Sequence, residues 1–142
     1  MSINVSFINM KGGVGKTTLA MQVALSAAQK GLRVLAVDLD PQSNLSQALL
    51  RPQGYVKHLQ ASKPTVVQIL DGYMPATSAT ASPTPISIDD VIIKGVGNLY
   101  QSKLDLIPSR LELSHTLRNP TGKERRLAKG LAKVADRYEL VH

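Results

Sequence analysis

The residues with the clearest chemical potential form one short segment, Lys11 to Thr18, which reads Lys-Gly-Gly-Val-Gly-Lys-Thr-Thr. Three glycines within four residues free the backbone from side-chain clashes, so successive N–H groups can turn inward around an anion. The helix predicted to begin at Lys16 adds its positive N-terminal end, and phosphate suits such a site. Lys16 can then reach the β and γ phosphates of a nucleotide, and the Thr17 hydroxyl is placed to ligate Mg²⁺.

This segment predicts a nucleotide-binding loop with consecutive contact residues: Lys11, Gly12, Gly13, Val14, Gly15, Lys16, Thr17 and Thr18. The alternative is a glycine-rich turn that merely connects two elements. Such a turn would not require Lys16, Thr17 and Thr18 at fixed spacing, so phosphate binding is favoured.

Two carboxylates, Asp38 and Asp40, follow the next predicted strand in the string Val-Asp-Leu-Asp-Pro-Gln-Ser-Asn. Because a right-handed β-α-β unit delivers both of its strands to one sheet edge, these side chains are expected beside the phosphate loop. An acidic pair next to a triphosphate is repulsive unless a metal or a water lies between them. We therefore predict that the pair holds hydrated Mg²⁺ and aligns the attacking water. The alternative is structural, with Asp40-Pro41 forming a turn and Asp40 capping a helix.

The elements that position these residues are predicted from hydrophobic spacing. The β-α-β unit comprises a strand over Ile3–Ile8, a helix over Lys16–Lys30 and a strand over Arg33–Val37. Leu19, Val23 and Ala27 recur at helical spacing, and Gly31 is expected to end the helix. The second strand is nearly all apolar, as is typical of a parallel strand covered on both faces.

Further along the chain, the pattern predicts shorter elements. They are a weakening helix end with a polar connection over Ser46–Lys63, a short helix from Pro64 to Leu70, a strand over Leu104–Ile107 and a last helix over Thr121–Arg137. The uncharged, low-complexity segment 75–85 predicts a mobile surface loop. The pair Asp89-Asp90 indicates a helix N-terminus, and a metal site there is the less favoured alternative.

Composition limits the classes of protein and partner. The chain has 142 residues, 43% of them hydrophobic, which is enough for one domain with a core. Its formal net charge of +7 favours contact with polyanions. The absence of cysteine excludes disulfides and cysteine-ligated metal or iron–sulfur sites. No targeting segment or membrane span is recognised in the sequence, so we expect a cytoplasmic protein without a membrane partner.

The last predicted helix is strongly basic on one side. Its apolar stripe consists of Leu127, Leu131 and Val134, whereas the remaining positions carry these charged residues: Lys123, Glu124, Arg125, Arg126, Lys129, Lys133, Asp136 and Arg137. This face is interpreted either as a contact for the DNA backbone or as a solvated outer surface.

The phosphate-binding segment has one departure from the standard pattern, since Met10 stands where a glycine is usual. With Lys11 followed by a glycine pair, the segment resembles the deviant Walker A motif of the ParA and MinD ATPases, and Lys11 falls at the signature lysine of that group. The Asp-Pro-Gln-Ser-Asn string resembles the ParA branch, with Ser43 where ParA-like proteins commonly have glycine.

The resemblance implies a role for each site residue. Asp40 would be the catalytic aspartate that positions water, and Asp38 would support the magnesium shell. In ParA-type ATPases, ATP binding drives a sandwich dimer in which Lys11 of each subunit reaches the nucleotide of the other. The implied catalytic set is Lys11, Lys16 and Asp40, with Thr17 and Asp38 serving Mg²⁺, and the implied cofactors are ATP and Mg²⁺.

The predicted fold class is α/β, a phosphate-loop NTPase with a mostly parallel sheet flanked by helices. The resemblance covers essentially the whole chain but only about the N-terminal half of the family domain, so residues 1–142 are expected to be the first part of a single domain. Tyr138–His142 is predicted to open a strand beside the phosphate-loop strand, where the family's Walker B strand begins. Without the rest of that strand, we expect an exposed apolar patch and a tendency to associate.

The favoured function is that of a ParA-like ATPase in the partitioning of plasmid or chromosomal DNA, nucleoid-associated and stimulated by a ParB-like partner. A MinD-like cell-division ATPase is an alternative, disfavoured by the Asp-Pro-Gln-Ser-Asn string and by the lack of an amphipathic C-terminal anchor. The other alternative is a nucleotide-binding or dimerising module that keeps the loop but does not hydrolyse ATP.

Overall fold

A four-stranded sheet with helices on both faces forms the core of the protein. The computed structural model describes residues 2–8, 15–74, 82–97, 103–118 and 121–142. The sheet contains, in spatial order, β1 (Ile3–Asn4), β6 (Leu140–Val141), β2 (Val34–Val37) and β5 (Leu104–Ile107). All of its strand pairs are parallel, which confirms the predicted α/β class.

Two layers of helices cover this sheet. The helices are α1 (Lys16–Gln29), α2 (Asn44–Gln60), α3 (Val66–Asp71), α4 (Ile88–Val91), α5 (Leu113–Thr116) and α6 (Lys123–Val134). Successive side chains of β2 alternate between the faces: Val34 and Ala36 pack with α1 and α2, whereas Leu35 packs with α3 to α6. Both faces of β2 are therefore buried, as predicted for a nearly continuous apolar strand.

The predicted extent of helix α1 is confirmed to within one residue, but the face that packs on the sheet differs from the predicted one. Its buried positions are Ala20, Ala24 and Ala28, one residue later than the predicted stripe, and Leu19 is 55% exposed. Alanine at these positions lets the helix approach β2 and β5 closely, so the smallest side chains face the core. Gly31 has a φ of 91°, the left-handed conformation common after a helix end.

Helix α2 differs from its prediction. In place of a short helix end and a polar connection, helical backbone runs through to Gln60 with a break at Arg51, where φ is 63° and ψ is 154°. The break precedes Pro52, and proline disfavours the helical conformation in the residue before it. Proline also suits the first position of a helix, so a second helical segment begins at Pro52. The hydrophobic periodicity of the sequence is interrupted there, although helix is present on both sides of Arg51.

The segment after α2 contains two well-defined helix starts. Thr65 caps α3 in a capping box with Gln68, and Ser87 caps α4 in another with Asp90. The prediction of helix N-termini at these places is confirmed. Part of the predicted loop 75–85 is a strand, because β4 (Thr84–Pro85) pairs antiparallel with β3 (Tyr73–Met74). Residues 75–81 of that loop lie outside the described residues.

The strand expected within Tyr138–His142 is confirmed. After α6 and a 3-10 turn at Ala135–Arg137, β6 lies between β1 and β2 and pairs with both. The predicted strand Ile3–Ile8 is shorter than expected, since within the described residues its ladder with β6 comprises Ile3 and Asn4. The described helices include none that is both long and apolar enough to span a membrane.

Candidate functional site

The N-terminus of α1 has the features of an anion-binding site. Gly15 precedes the helix with a φ of 80°, a conformation that glycine adopts without a Cβ penalty. Among the described residues no side chain caps this end, and the first turn carries no acidic residue. The first backbone N–H groups of the helix and its positive dipole end can therefore bind an anion. Lys11, Gly12, Gly13 and Val14 lie outside the described residues, and their roles stay predictions.

A cleft of about 790 Å³ lies beside this helix end, at the carboxyl edge of the strands. Lys16, Thr17 and Asp40 line its polar side. Its opposite wall is apolar and is contributed by these residues: Phe7, Leu127, Ala128, Leu131 and Ala132. The β-α-β unit thus brings the predicted loop end and the predicted carboxylates to one site, as the chirality of the crossover requires.

Lys16 and Asp40 form the charged pair at the centre of the site. The distance from Lys16 Nζ to Asp40 Oδ2 is 3.5 Å, and both side chains are partly exposed. The second carboxylate oxygen, Oδ1, accepts a hydrogen bond from the Gln42 N–H at 2.9 Å. The predicted turn at Asp40-Pro41 is present, but the residue at the N-cap of α2 is Ser43, so Asp40 does not cap the helix.

Ser43 explains a feature of the sequence resemblance. Its φ of 58° and ψ of 28° are in the left-handed region. Glycine adopts that region without strain, and a side chain there is uncommon. The glycine common at this place in ParA-like proteins therefore matches the local backbone.

Asp38 is buried and fully engaged with protein donors. Its Oδ1 accepts from the Asp40 N–H at 3.0 Å, and its Oδ2 accepts from the Ser46 N–H at 2.9 Å and the Ser46 hydroxyl at 2.6 Å. Burial raises the pKa of the Asp38 carboxyl above its usual range, and the hydrogen bonds from Ser46 and Asp40 oppose this rise. Asp38 thus holds the turn that carries Asp40.

Three residues absent from the sequence prediction complete this arrangement. The Ser109 hydroxyl donates to the Asp40 carbonyl at 2.8 Å, and the Ser109 N–H donates to the Ser46 hydroxyl at 2.9 Å. The Tyr55 hydroxyl donates to the Ser109 carbonyl at 3.0 Å. The one available sequence signal was that Ser109 follows β5 after a single residue, Pro108, at the same sheet edge as Asp38.

The donor set fits a magnesium nucleotide. Thr17 and Asp38 both line the cleft, on the elements that follow the phosphate loop and β2. A hydroxyl and a carboxylate are oxygen donors, the class that Mg²⁺ prefers, and Mg²⁺ usually keeps several waters. Within the described ranges no group of three or more His, Cys, Asp or Glu side chains could hold a metal ion.

The basic residues of α6 divide into two groups. Arg126 donates to the carbonyls of Leu70 and Asp71 at 2.8 and 2.9 Å, and Lys123 Nζ lies 3.5 Å from Asp71 Oδ1. These two cations therefore fasten α6 to the C-terminal end of α3. The other group comprises the exposed side chains of Arg125, Lys129 and Lys133, four residues apart, which form no ion pair within the described part of the chain.

The cleft has apolar side chains at its rim. Ile8 is 87% exposed and Leu39 is 50% exposed, and both border the cleft. The apolar patch expected from the incomplete strand stays a prediction. Association of the chain through this patch stays a prediction.

His142 links the stability of the cleft wall to pH. Its ring packs edge-on against Phe7 at 5.2 Å, and both ring nitrogens are buried without a hydrogen-bond partner in the described residues. Burial lowers the pKa of His142 below its ordinary value of 6.5. A histidine whose pKa is lower in the folded state contributes stability that is fully present above its unfolded-state pKa. This stability is lost as the pH falls from the unfolded-state pKa through the folded-state pKa.

We therefore expect the free energy of unfolding to fall more steeply in the wild type than in His142→Phe between about pH 7.5 and about pH 5.5. Phenylalanine keeps the ring contact and removes the titrating group. His58, whose pKa burial also lowers, is present in both proteins and cancels in the comparison. Urea denaturation at a series of pH values measures the difference, and parallel pH dependences would contradict the assignment to His142.

Comparisons with known proteins find relatives along the whole chain. A family model described as an AAA domain matches residues 2–142. An uncharacterized protein of Mycobacterium tuberculosis is 36% identical over 140 residues, which are 96% of this chain and 37% of that protein. The chromosome-partitioning ATPase Soj of Treponema pallidum is 32% identical over 99% of this chain and 47% of its own length. Soj of Thermus thermophilus is 45% identical over 51% of this chain and 31% of its own.

Solved structures share the fold. A plasmid partition protein from Borrelia burgdorferi has a TM-score of 0.75 and 26% identity over 99% of this chain and 54% of that one. Cobyrinic acid a,c-diamide synthase from Mycobacterium smegmatis, with bound ATP analog and magnesium, has a TM-score of 0.68 and 26% identity, covering 99% and 50%. ParA of pNOB8, bound to nonspecific DNA, has a TM-score of 0.66 and 23% identity, covering 99% and 45%. The chain thus spans about half the length, or less, of the proteins it matches.

Proposed function

The chain belongs to the family of ParA-type partition ATPases, and from this premise we propose that it binds ATP with Mg²⁺ and hydrolyses it during DNA partitioning. The observation that carries the proposal is the meeting of Lys16 and Asp40, 3.5 Å apart, at the N-terminus of α1, which no described side chain caps. A cation, a positive helix end and a carboxylate at one sheet edge supply what phosphoryl transfer to water requires.

The phosphate-binding role falls to the start of α1 and to the loop before it. The backbone N–H groups from Gly12 to Thr18 would hold the phosphate oxygens, and Lys16 would contact the β and γ phosphates. The Thr17 hydroxyl would ligate Mg²⁺, with Asp38 supporting its hydrated shell. Magnesium, when bound, neutralises charge that develops between the β and γ phosphates.

The water-positioning role falls to Asp40. Its Oδ2 faces the cleft beside Lys16, and its Oδ1 is fixed by the Gln42 N–H. A carboxylate held in this way can accept a hydrogen bond from the attacking water and orient it toward the terminal phosphate. When Lys16 moves to a phosphate, the carboxylate loses its partner and becomes available to that water.

The assembly state is proposed from the family. ATP would drive a homodimer in which Lys11 of each subunit contacts the nucleotide of the other, and a ParB-like partner would stimulate hydrolysis in the cytoplasm. Two relatives are chromosome-partitioning ATPases and one structural neighbour is a plasmid partition protein, which favours this function over MinD-like division placement. The non-hydrolysing module remains the competing proposal.

One experiment separates the enzyme from the non-hydrolysing module. The affinity for Mg-ATP is measured by titration calorimetry, and phosphate release is followed on the same preparation over a range of protein concentrations. The ATPase proposal expects saturable binding and a release rate per subunit that rises as the dimer forms. Binding without release at every concentration would support the module, and no binding would refute both proposals.

We further propose that the exposed stripe of Arg125, Lys129 and Lys133 contacts DNA phosphates without reading sequence. The three side chains lie on one face of α6 and extend over about 12 Å at 1.5 Å per residue. A duplex carries one charge per about 1.7 Å of axis, so each cation can meet a phosphate. ParA of pNOB8, a structural neighbour, binds nonspecific DNA.

Replacing Arg125, Lys129 and Lys133 together with glutamine is expected to weaken binding to random duplex DNA and to flatten its salt dependence. Each lost phosphate contact reduces the magnitude of the slope of log affinity against log salt by about 0.9. The slope of the triple variant should therefore be smaller in magnitude than that of the wild type by just under about 3. Fluorescence anisotropy of a labelled duplex at several salt concentrations measures the slope.

The control carries the same change in net charge at another place. Lys30 and Lys57 are exposed at the C-terminal ends of α1 and α2, and Lys63 is exposed in the segment after α2. Their triple glutamine variant should keep most of the slope. Equal slopes for the two triple variants would mean that net charge alone drives binding. That result would refute the stripe as the DNA contact.

A further inference from the structure

We propose that Ser109 is a positioning residue for Asp40, which it holds in the orientation needed for water attack through a hydrogen bond to the Asp40 main chain. This inference rests on the proposed function, in which Asp40 positions the attacking water. Ser109 is not among the described residues that line the cleft. It lies at the end of β5, on the strand adjacent to the one that leads to Asp40.

The Asp40 main chain is held at two points. Its N–H donates to Asp38 Oδ1 at 3.0 Å. Its carbonyl accepts from the Ser43 N–H at 2.8 Å and from the Ser109 hydroxyl at 2.8 Å. The Ser43 bond lies within the turn and can move with it. Of these two bonds, the Ser109 bond is the one that ties the carbonyl to the segment after β5.

Ser109 is itself held firmly. It is fully buried, and it follows the β5 strand, which pairs with β2 along its whole length. Its N–H donates to the Ser46 hydroxyl, which in turn donates to Asp38, and its carbonyl accepts from the Tyr55 hydroxyl. The hydrogen bonds therefore form a closed circuit, buried at Ser46 and partly buried at Asp40, that joins α2, the segment after β5 and the Asp40 turn.

Removal of the Ser109 hydroxyl should disturb catalysis more than binding. The Asp40 carbonyl would keep the Ser43 N–H, so no buried acceptor is left without a donor and the fold should persist. The turn would lose its fixed point on β5, and small displacements of a catalytic group can cost about 100-fold in rate. Nucleotide contacts at α1 would be unchanged.

The test compares Ser109→Ala with Ser109→Thr, which restores a hydroxyl, and with Tyr55→Phe, which removes only the donor to the Ser109 carbonyl. Ser114→Ala is the matched control, because its half-buried hydroxyl makes no hydrogen bond to the described residues. We expect Ser109→Ala to lower kcat about tenfold or more with the dissociation constant for Mg-ATP within about twofold. Ser109→Thr should recover part of kcat, Tyr55→Phe should show a smaller loss, and Ser114→Ala should show none.

Hydrogen exchange gives a readout that is independent of turnover. The amides of Asp40 and Ser43, followed by NMR, should exchange faster in Ser109→Ala than in Ser114→Ala, whereas the amides of β2 should keep their protection. Unchanged exchange at the turn together with an unchanged kcat would overturn the proposal, and so would a uniform loss of protection throughout the protein. If the wild type binds nucleotide but releases no phosphate, the proposed hydrolysis fails, and local exchange alone decides whether Ser109 holds the Asp40 turn.

Discussion

Replacing Lys16 with alanine is expected to lower the affinity for Mg-ATP by about 100-fold or more. Hydrogen bonds from a charged donor to a phosphate contribute about 1.5 to 3 kcal/mol each, and Lys16 is proposed to contact two phosphates. The change also removes the positive charge nearest to the Asp40 carboxylate, so the carboxylate repels the triphosphate more strongly. Titration calorimetry or a fluorescent nucleotide measures the loss.

The matched control is Lys30→Ala, the same change at the other end of the same helix, where the side chain is exposed. This variant should bind Mg-ATP as the wild type does. Thermal unfolding should be nearly the same for both variants, since a partly exposed ion pair contributes about 1 kcal/mol or less. If Lys16→Ala kept full affinity, the start of α1 would not be the phosphate site.

The parts of the fold that the sequence predicted well are those in which local pattern and tertiary packing agree. Strand β5 was predicted residue for residue, because its apolar run ends at Pro108, which cannot continue the ladder. Helix α1 was predicted to within one residue, because Gly31 ends it. In both cases a backbone constraint coincides with the end of a hydrophobic pattern.

The errors arose where packing selects among equivalent patterns. Leu19 and Ala20 both begin a helical repeat, and the sequence favours the larger residue, yet the close approach of α1 to the sheet selects the alanines. In α2, Pro52 interrupts the periodic pattern, but tertiary contacts such as the buried Tyr55 keep the second half helical. Periodicity within one segment contains no information about the distance to the neighbouring element.

The candidate site was predictable as far as chain topology alone determines it. Lys16 and Asp40 meet because a right-handed crossover brings the ends of β1 and β2 to one edge. The supporting hydroxyls were not predictable, since Ser46, Tyr55 and Ser109 are separated in sequence by up to 63 residues and join only after α2 folds onto β5. A serine or tyrosine has no periodic signature that distinguishes a buried donor from a solvated one.

Replacing Asp40 with asparagine is expected to lower phosphate release about 100-fold or more while leaving Mg-ATP binding unchanged or tighter. General-base and water-positioning groups contribute about 10² to 10⁴ in rate, and an amide is far less basic than a carboxylate. Asparagine keeps an oxygen for the Gln42 N–H, so the turn should persist. Loss of a negative charge close to Lys16 lowers the repulsion toward the triphosphate.

The control for this variant is Asp136→Asn, at an exposed position in the 3-10 turn after α6, which should retain wild-type turnover and affinity. The two constants are measured on the same preparations by calorimetry and by phosphate release. If Asp40→Asn lost binding together with turnover, Asp40 would be structural, as the turn-forming alternative holds. If ATP binding drives dimerisation and hydrolysis ends it, Asp40→Asn should also accumulate a nucleotide-bound dimer in sedimentation, because binding is kept and the step that releases the dimer is lost.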